Sequence, residues 1–339
     1  MSRFLDAARL LPVDATPVWF MRQAGRSLPE YRRIRERWSL FDIVDNAELC
    51  AEVTLQPVRR LGVDAAVMFS DIVLPLRALG LHFRLVDGVG PMLDDPVRSA
   101  ARVQRLPRRP VEEAVPQMMA AVAATVKVSP VPVIAFAGAP FTLASYIVEG
   151  GPSRDHLQVK RFMWSEPEAF QGLMAMIAAV TLDYLSAQVG AGAQAVQLFD
   201  SWVGALSRDD YVRWVLPHSR TILEGLEPLG VPRIHFGTGT SALLEDMAGA
   251  GGDVVGLDWR IPLDRAWERI GHRRAVQGNL DPALMLAPRE YALGRVDEIL
   301  RQAGSRPGHI FNLGHGVLPE TPVAMLQAVV EKVHAGVSD

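Results

Sequence analysis

One cysteine among 339 residues, Cys50, is the first constraint. It rules out an intrachain disulfide and any site built from several thiolates, and its setting in "NAELCAEVTLQPVRRL", which reads as a helix, marks a buried and inert thiol. The eight histidines include no HExxH or HxH spacing, so no metal is expected. No uninterrupted apolar run reaches the roughly 18 residues of a membrane span. The opening "MSRFLDAARLLPVDATP" is too charged, and its apolar stretch too short, for a signal peptide, so no membrane partner is expected and the cytoplasm is the expected location. A net charge of -3 and a pI near 6.3 leave no general basic field, which argues against nucleic acid as a partner. No dinucleotide fingerprint follows the first predicted strand. The "GTGTS" of 237–241 lacks a Walker lysine and reads as a strand-to-helix turn.

With 49% hydrophobic and 22% charged residues, the chain has the composition of an ordinary globular protein with ample core. Short apolar or β-branched runs recur at 17–21, 64–69, 131–137, 193–199, 232–237, 253–258, 274–279 and 309–314, most of them separated by helix-length amphipathic segments. Continuous rather than alternating apolar character suits parallel strands covered on both faces. The pattern predicts an α/β fold, a (β/α)8 TIM barrel forming a single domain over 1–339. The competing architecture is a doubly wound open sheet, because the sequence period does not say whether the sheet closes. "LGLHFRLVDGVGPML" (79–93) alternates polar and apolar residues around "DG" and predicts a small hairpin insertion after the second strand. The linker "DDPVRSAARVQRLPRRP" follows it.

In such a barrel the chemistry sits on loops leaving the C-terminal ends of the strands. Residues just past each run are therefore candidates: Arg22, Gln23, Ala24, Gly25 and Arg26; Ser70 and Asp71; "GAPFTLASYIVEGG" with Tyr146; Asp200 and Ser201; Thr238; Asp258; Asn279; and His315 of "NLGHGV". "PVWFMRQAGRSLPEYRRIRER" concentrates six arginines in a chain of slightly negative charge. Arg32, Arg33, Arg35 and Arg37 read mainly as exposed or ion-paired, since Glu30 and Glu36 are within reach of Arg26, Arg33 or Arg37. Arg22 and Arg26 differ, because they flank the small residues Ala24 and Gly25 at a barrel mouth, and a guanidinium suits a polycarboxylate or phosphate ligand. Asp71, set between "AAVMFS" and "IVLPL", reads equally as an N-cap or as a buried functional acid. His315 has both a structural and a pocket reading, and Tyr146 both a core and a pocket reading.

Seven stretches, "PVWFMRQAGRSLPEYR", "MFSDI", "GAPFTLASYIVEG", "VQLFDSW", "GLDWR", "VQGNLDP" and "HIFNLGHGVLPETP", follow in order along nearly the whole chain. Together they resemble the motif set of the uroporphyrinogen decarboxylase family. The resemblance implies cofactor-free loss of carbon dioxide from the four acetate arms of uroporphyrinogen III to give coproporphyrinogen III, on the path to haem. It also implies a tetrapyrrole as the small-molecule partner, and a homodimer. By the same resemblance Arg22, Gln23, Ala24, Gly25, Arg26, Asp71, Tyr146, Ser201 and His315 contact substrate, with Asp71 and Arg22 catalytic and Arg35 a further candidate contact. One carboxylate offers about four lone-pair positions, enough for four converging pyrrole N–H groups. A protonated pyrrole is its own electron sink, so no added cofactor is needed. Arg22 and His315 are both candidates for the proton donor, the first handicapped by a pKa above roughly 12.

Two residues depart from the common family pattern: Ser27 replaces tyrosine after "RQAGR", and Asp200 replaces the glutamate of some members. Neither removes a charge that the chemistry uses. Two other readings remain open: a zinc-dependent methyltransferase barrel, weakened by the single cysteine, and a tetrapyrrole-binding protein without catalysis, weakened by Asp71.

Overall fold

Seven parallel strands form one sheet in the computed structural model, which describes residues 2–86 and 88–337. They are β1 (Ala66–Val67), β4 (Val133–Gly138), β5 (Ala195–Asp200), β6 (Arg233–Gly237), β7 (Val254–Gly256), β8 (Ala275–Gln277) and β9 (His309–Ile310), hydrogen-bonded in that order. β2 (Arg84–Val86) and β3 (Gly90–Met92) make a separate antiparallel hairpin with Arg84 opposite Met92, as expected for the insertion after the second strand. The linker beyond it contains a short helix, Ala100–Val103, whose first N–H donates to Glu166 Oε2 at 2.8 Å.

The first predicted strand, 17–21, is reduced to a single parallel bridge between Val18 and Phe311, yet it closes the sheet. On one side Trp19 N–H donates to Phe311 O and Phe311 N–H to Pro17 O; on the other, Asp64 N–H donates to Val18 O. Side chains take backbone donors of this run, Phe20 N–H going to Gln23 Oε1 and Met21 N–H to Asn312 Oδ1. Val18 N–H donates to the Asp64 carboxylate at 2.7 Å instead of to a neighbouring carbonyl, so the ladder is interrupted by a side chain. The open doubly wound alternative is thereby excluded.

The interior confirms closure. Trp19 Nε1 donates to Gln277 Oε1 at 3.0 Å and Gln277 Nε2 to Gln197 Oε1 at 3.1 Å, although β5 and β8 are not neighbours in the sheet. Such contacts require side chains meeting across a barrel. Two residues further along β5, on the same face, Phe199 packs edge-on against Phe136 and Phe236 with ring centroids 5.4 and 5.7 Å apart. His315 lies next to Phe236. A polar layer, an aromatic layer and then the mouth succeed one another toward the C-terminal ends of the strands.

Helices form the outer layer. Helix Ala47–Leu61 starts where the Asn46 side chain accepts Leu49 N–H and stops at Gly62, whose φ of 72° lies in the left-handed region. Its Cys50 thiol donates to Phe69 O and Thr54 Oγ1 accepts Phe69 N–H, which fixes the chain just beyond β1; burial pushes the thiol pKa up to about 12. Helix Pro167–Gly190 is long and apolar enough, by length and composition, to cross a membrane, with half of its apolar window buried. Phe170, Leu173, Ile177, Val180 and Tyr184 are among its buried residues, and the helix packs on β4 and on helices Pro140–Glu149 and Leu216–Gly225.

Asp64 is the tie at the closure, since its carboxylate also accepts from Arg3 Nη1 and bonds His334 Nε2 at 2.8 Å, joining both chain ends to the barrel. Asp64→Ala leaves Val18 N–H unpaired, and the expected loss of stability is about 2 kcal/mol, read as a lower urea midpoint at constant m-value. An unchanged midpoint would show that closure does not depend on this carboxylate.

Candidate active site

The loop after the first stave is held from beneath. Gln23 is fully buried, its Oε1 accepting Phe20 N–H and its Nε2 donating to Ala65 O, each at 2.9 Å. Asn312 Oδ1 accepts Met21 N–H from the other side. Gln23 thus spends both ends of its amide on the barrel. Gly25 is required by a close approach, because a Cβ there would stand 2.9 Å from Arg22 O. Arg22 adopts φ 61°, unusual for a bulky residue, and such backbone strain tends to sit where a side chain must be aimed. Its stem lies on Gly316, where a Cβ would stand 2.7 Å from Arg22 Cγ.

Arg26 is exposed and Ala24 half-buried on the same loop. Arg32, Arg33 and Arg37 are exposed as expected, but no ion pair to Glu30 or Glu36 forms among the described residues. Arg35 donates from Nη1 to Trp38 O at 2.6 Å, closing the turn that ends helix Pro29–Arg35.

Asp71 follows β1. Its Oδ1 accepts Val73 N–H at 3.0 Å, within the turn that leads into the 3-10 helix Leu74–Leu79, while Oδ2 makes no hydrogen bond to any described residue. One oxygen is thus engaged in the turn after β1, and the other is free of protein donors among the described residues. Burial pushes its pKa up, opposed by the Val73 N–H and by the positive charge of Arg22. Tyr146, from helix Pro140–Glu149, is buried; desolvation raises its pKa, the Asp71 charge raises it further, and Arg22 opposes both. Its phenol consequently keeps its proton.

The Tyr146 ring stacks on Trp202, centroids 4.2 Å apart, with Phe83 edge-on from the region of the hairpin. Ser201 is half-buried immediately before Trp202, and its carbonyl accepts from the Thr238 hydroxyl. His315 sits half-buried between two glycines. Burial first, then Arg22 and Arg260, pull its pKa down from 6.5 to about 4, against a weaker pull from Asp258, so the imidazole is neutral at pH 7. Arg22, Asp71, Tyr146 and His315 thus share one space at the barrel mouth, with Ser201 alongside through Trp202.

Other candidates at strand ends serve the frame. Asp200 is fully buried and accepts from Thr142 Oγ1 at 3.1 Å. Asn279 donates to Asp258 O and Ile261 O. Thr238 is committed to Ser201, and Asp258 is bonded by Gly239 N–H and Arg260. Sequence reasoning missed Trp202 and Arg260, although each lies one or two positions past a strand-end residue within "LFDSW" and "GLDWR". Among the described residues no group of three or more His, Cys, Asp or Glu side chains could hold a metal ion.

The burial of two histidines gives a stability expectation. His309, bonded through Nε2 to Gly278 O, and His315 are both held at about 4, mainly by burial, against 6.5. Between those values the unfolded chain binds more protons, so stability is expected to fall as pH drops from about 6.5 toward 4. His315→Gln should make that fall shallower in urea titrations taken at successive pH values; an unaltered slope would mean that this imidazole titrates normally.

Comparison with known proteins places the chain in a family. The family model described as "Uroporphyrinogen decarboxylase (URO-D)" matches residues 1–336. The chain is 55% identical over 336 residues to the uroporphyrinogen decarboxylase of Sorangium cellulosum, covering 98% of this chain and 96% of that one. It is 52% identical over 333 residues to that of Carboxydothermus hydrogenoformans, covering 98% and 95%. Among solved structures, a methyltransferase from Methanosarcina mazei superposes with a TM-score of 0.77 at 19% identity, over 98% of this chain and 97% of that one, a likeness of fold.

Proposed function

The chain belongs to the uroporphyrinogen decarboxylase family, and we propose that it decarboxylates the four acetate arms of uroporphyrinogen III at the Asp71, Arg22, Tyr146, Ser201 and His315 cluster, giving coproporphyrinogen III. The enzyme is a carboxy-lyase of tetrapyrrole biosynthesis. One observation carries the assignment to this site: a half-buried carboxylate at the barrel mouth with one oxygen fixed by Val73 N–H and the other open, framed by an arginine and a protonated tyrosine.

In the proposed mechanism the pyrrole N–H groups converge on Asp71. Four donors and the Arg22 charge favour its ionised form against the cost of burial. A proton adds to the ring carbon next to the one bearing the acetate, because only then does the acetate-bearing carbon share the positive charge. The electron pair of the bond between the acetate methylene and its carboxylate moves into the ring, carbon dioxide departs, and an exocyclic methylene remains. Protonation of that methylene and loss of the ring proton restore a pyrrole bearing a methyl group. The net change consumes one proton and one carboxylate per arm. The chain's part is to stabilise the cation with Asp71 more than the neutral ring, which is the differential binding that lowers a barrier.

Arg22 and Arg26 hold carboxylates in this reading. Tyr146 offers a hydroxyl proton, Ser201 a further hydroxyl, and His315 a neutral imidazole whose proton affinity rises when a substrate carboxylate arrives beside it. Gln23, Ala24 and Gly25 give the loop the shape that lets a ligand approach. The expected homodimer and cytoplasmic setting belong to the same proposal.

Three outcomes test it. Anaerobic incubation with uroporphyrinogen III and no additive, followed by chromatography of the oxidised products, should show seven, six, five and then four carboxylates; tight binding without loss would leave a non-catalytic tetrapyrrole binder. Asp71→Asn should lower kcat by a factor of about 10³ or more, in keeping with removal of a charge made for the transition state, with the melting transition kept; near-normal turnover would remove Asp71 from the mechanism. Gly316→Ala overlaps only the flexible Arg22 stem, so it should displace that guanidinium and cut kcat/KM at least tenfold while the fold survives. Unaltered kinetics would mean that the position of Arg22 is not used.

A further inference from the structure

The loop after β7 carries a guanidinium that the chemistry above does not use. Arg260 Nη1 donates to Asp258 Oδ2 at 2.5 Å, and the guanidinium lies over the Trp259 ring, 4.2 Å from its centroid. Asp258 is 2% exposed, and its orientation is fixed by two further bonds, Arg260 N–H to Oδ1 at 3.0 Å and Gly239 N–H to Oδ2 at 2.6 Å. The arginine is therefore held along one edge and one face. Its other edge makes no hydrogen bond to any described residue, and the side chain is 49% exposed.

Its place in the fold follows from two glycines. A Cβ on Gly314 would stand 2.5 Å from Trp259 N, and one on Gly316 would stand 2.7 Å from Arg22 Cγ. The loop after β9 is wedged between the Trp259–Arg260 turn and Arg22, so His315 has an arginine on either flank. The lowered proton affinity of His315, caused in part by both arginines, agrees with that placement. Arg260 also borders a groove of about 430 Å³ whose lining includes Tyr291, Arg295 and the carboxylates Asp281 and Glu298 but not Arg22, Asp71, Tyr146 or His315, so the free edge of Arg260 beside His315, not this groove, is the docking point.

We infer that Arg260 is a further substrate-binding residue, one that takes a propionate carboxylate on the side of His315 away from Arg22 and Arg26. The inference rests on the reading of this site as a uroporphyrinogen decarboxylase centre. Decarboxylation needs each acetate near the Arg22 and Asp71 side of the mouth, whereas propionates are never consumed and need anchoring in every cycle. A guanidinium already immobilised by a buried carboxylate and an indole loses little side-chain freedom when it binds, which favours a standing anchor over a mobile one.

A propionate anchor acts alike on every intermediate. Arg260→Gln should raise KM about tenfold or more for the eight-, seven-, six- and five-carboxylate porphyrinogens alike, and raise the inhibition constant of coproporphyrinogen by a similar factor, with kcat within threefold of wild type. Arg260→Lys keeps the cation without the fork, and an intermediate KM is expected. Unchanged KM in a folded Arg260→Gln enzyme, a fall in kcat without a change in KM, or an effect confined to the eight-carboxylate substrate would each overturn the assignment. Fluorescence titration with uroporphyrin, the oxidised octacarboxylate, compares wild type with Arg260→Gln without any turnover. If the wild type released no carbon dioxide, the functional reading would fail, while a tenfold weaker uroporphyrin affinity in the variant would still support Arg260 as a carboxylate anchor and equal affinity would sink it.

Discussion

Everything at the mouth depends on how the barrel closes. The stave at 17–21 is inserted between β9 and the chain that leads into β1, pinned by the Asp64 carboxylate on one side and by Phe311 on the other. The loop that leaves it must therefore lie between the loop after β1, which carries Asp71, and the loop after β9, which carries His315. Arg22 falls between a carboxylate and an imidazole because of topology, not because of any local attraction. The bond from Gln23 to Ala65 and that from Met21 to Asn312 tie the arginine loop to both neighbours, so the position of the guanidinium is set by the same contacts that seal the barrel.

Desolvation then decides the charges. It raises the pKa of Asp71 and of Tyr146 and lowers that of His315, in each case toward the neutral form. Arginine is the exception, since a guanidinium keeps its proton in any protein setting. Arg22 and Arg260 stay charged beside these groups, which gives this end of the barrel a bias for anions. At Asp71 the Val73 N–H and the charge of Arg22 oppose the rise in pKa. Such a site suits the proposed porphyrinogen, which brings carboxylates at its rim and N–H groups at its centre; of the six arginines at 17–37, Arg22 acts on Asp71, Tyr146 and His315, while Arg35 closes a helix turn.

Much of this was legible in the residue order. Seven predicted runs coincide with strands, the hairpin falls at its predicted place, and Cys50 is the buried thiol that its helical setting implied. What sequence period could not show was the replacement of ladder bonds by side chains, which cut the first run to one bridge. Sequence position also does not distinguish a polar side chain aimed at the mouth from one spent on the frame. Gln23, Asn279 and Asp258 all stand just past strand ends, yet their polar groups bond backbone or a neighbouring loop. Arg260 went unnoticed because it lies two residues past Asp258; the contact of Gly314 with Trp259 and the effect of Arg260 on His315 bring it into view.

Asp200 shows how a residue can face away from the mouth and still shape it. At the end of β5 its Oδ1 accepts the Thr142 hydroxyl proton, and Thr142 Oγ1 in turn accepts Trp202 N–H at 3.3 Å. Thr142 and Tyr146 lie four residues apart on one helix and therefore on one face, so Trp202 is fixed by its backbone at one and by its ring at the other. Ser201 is carried between these two anchors and is held again from β6 by Thr238. The bonds of Asp200 thus act on the seating of the Trp202 turn against helix Pro140–Glu149, away from the charged groups of Arg22 and Asp71.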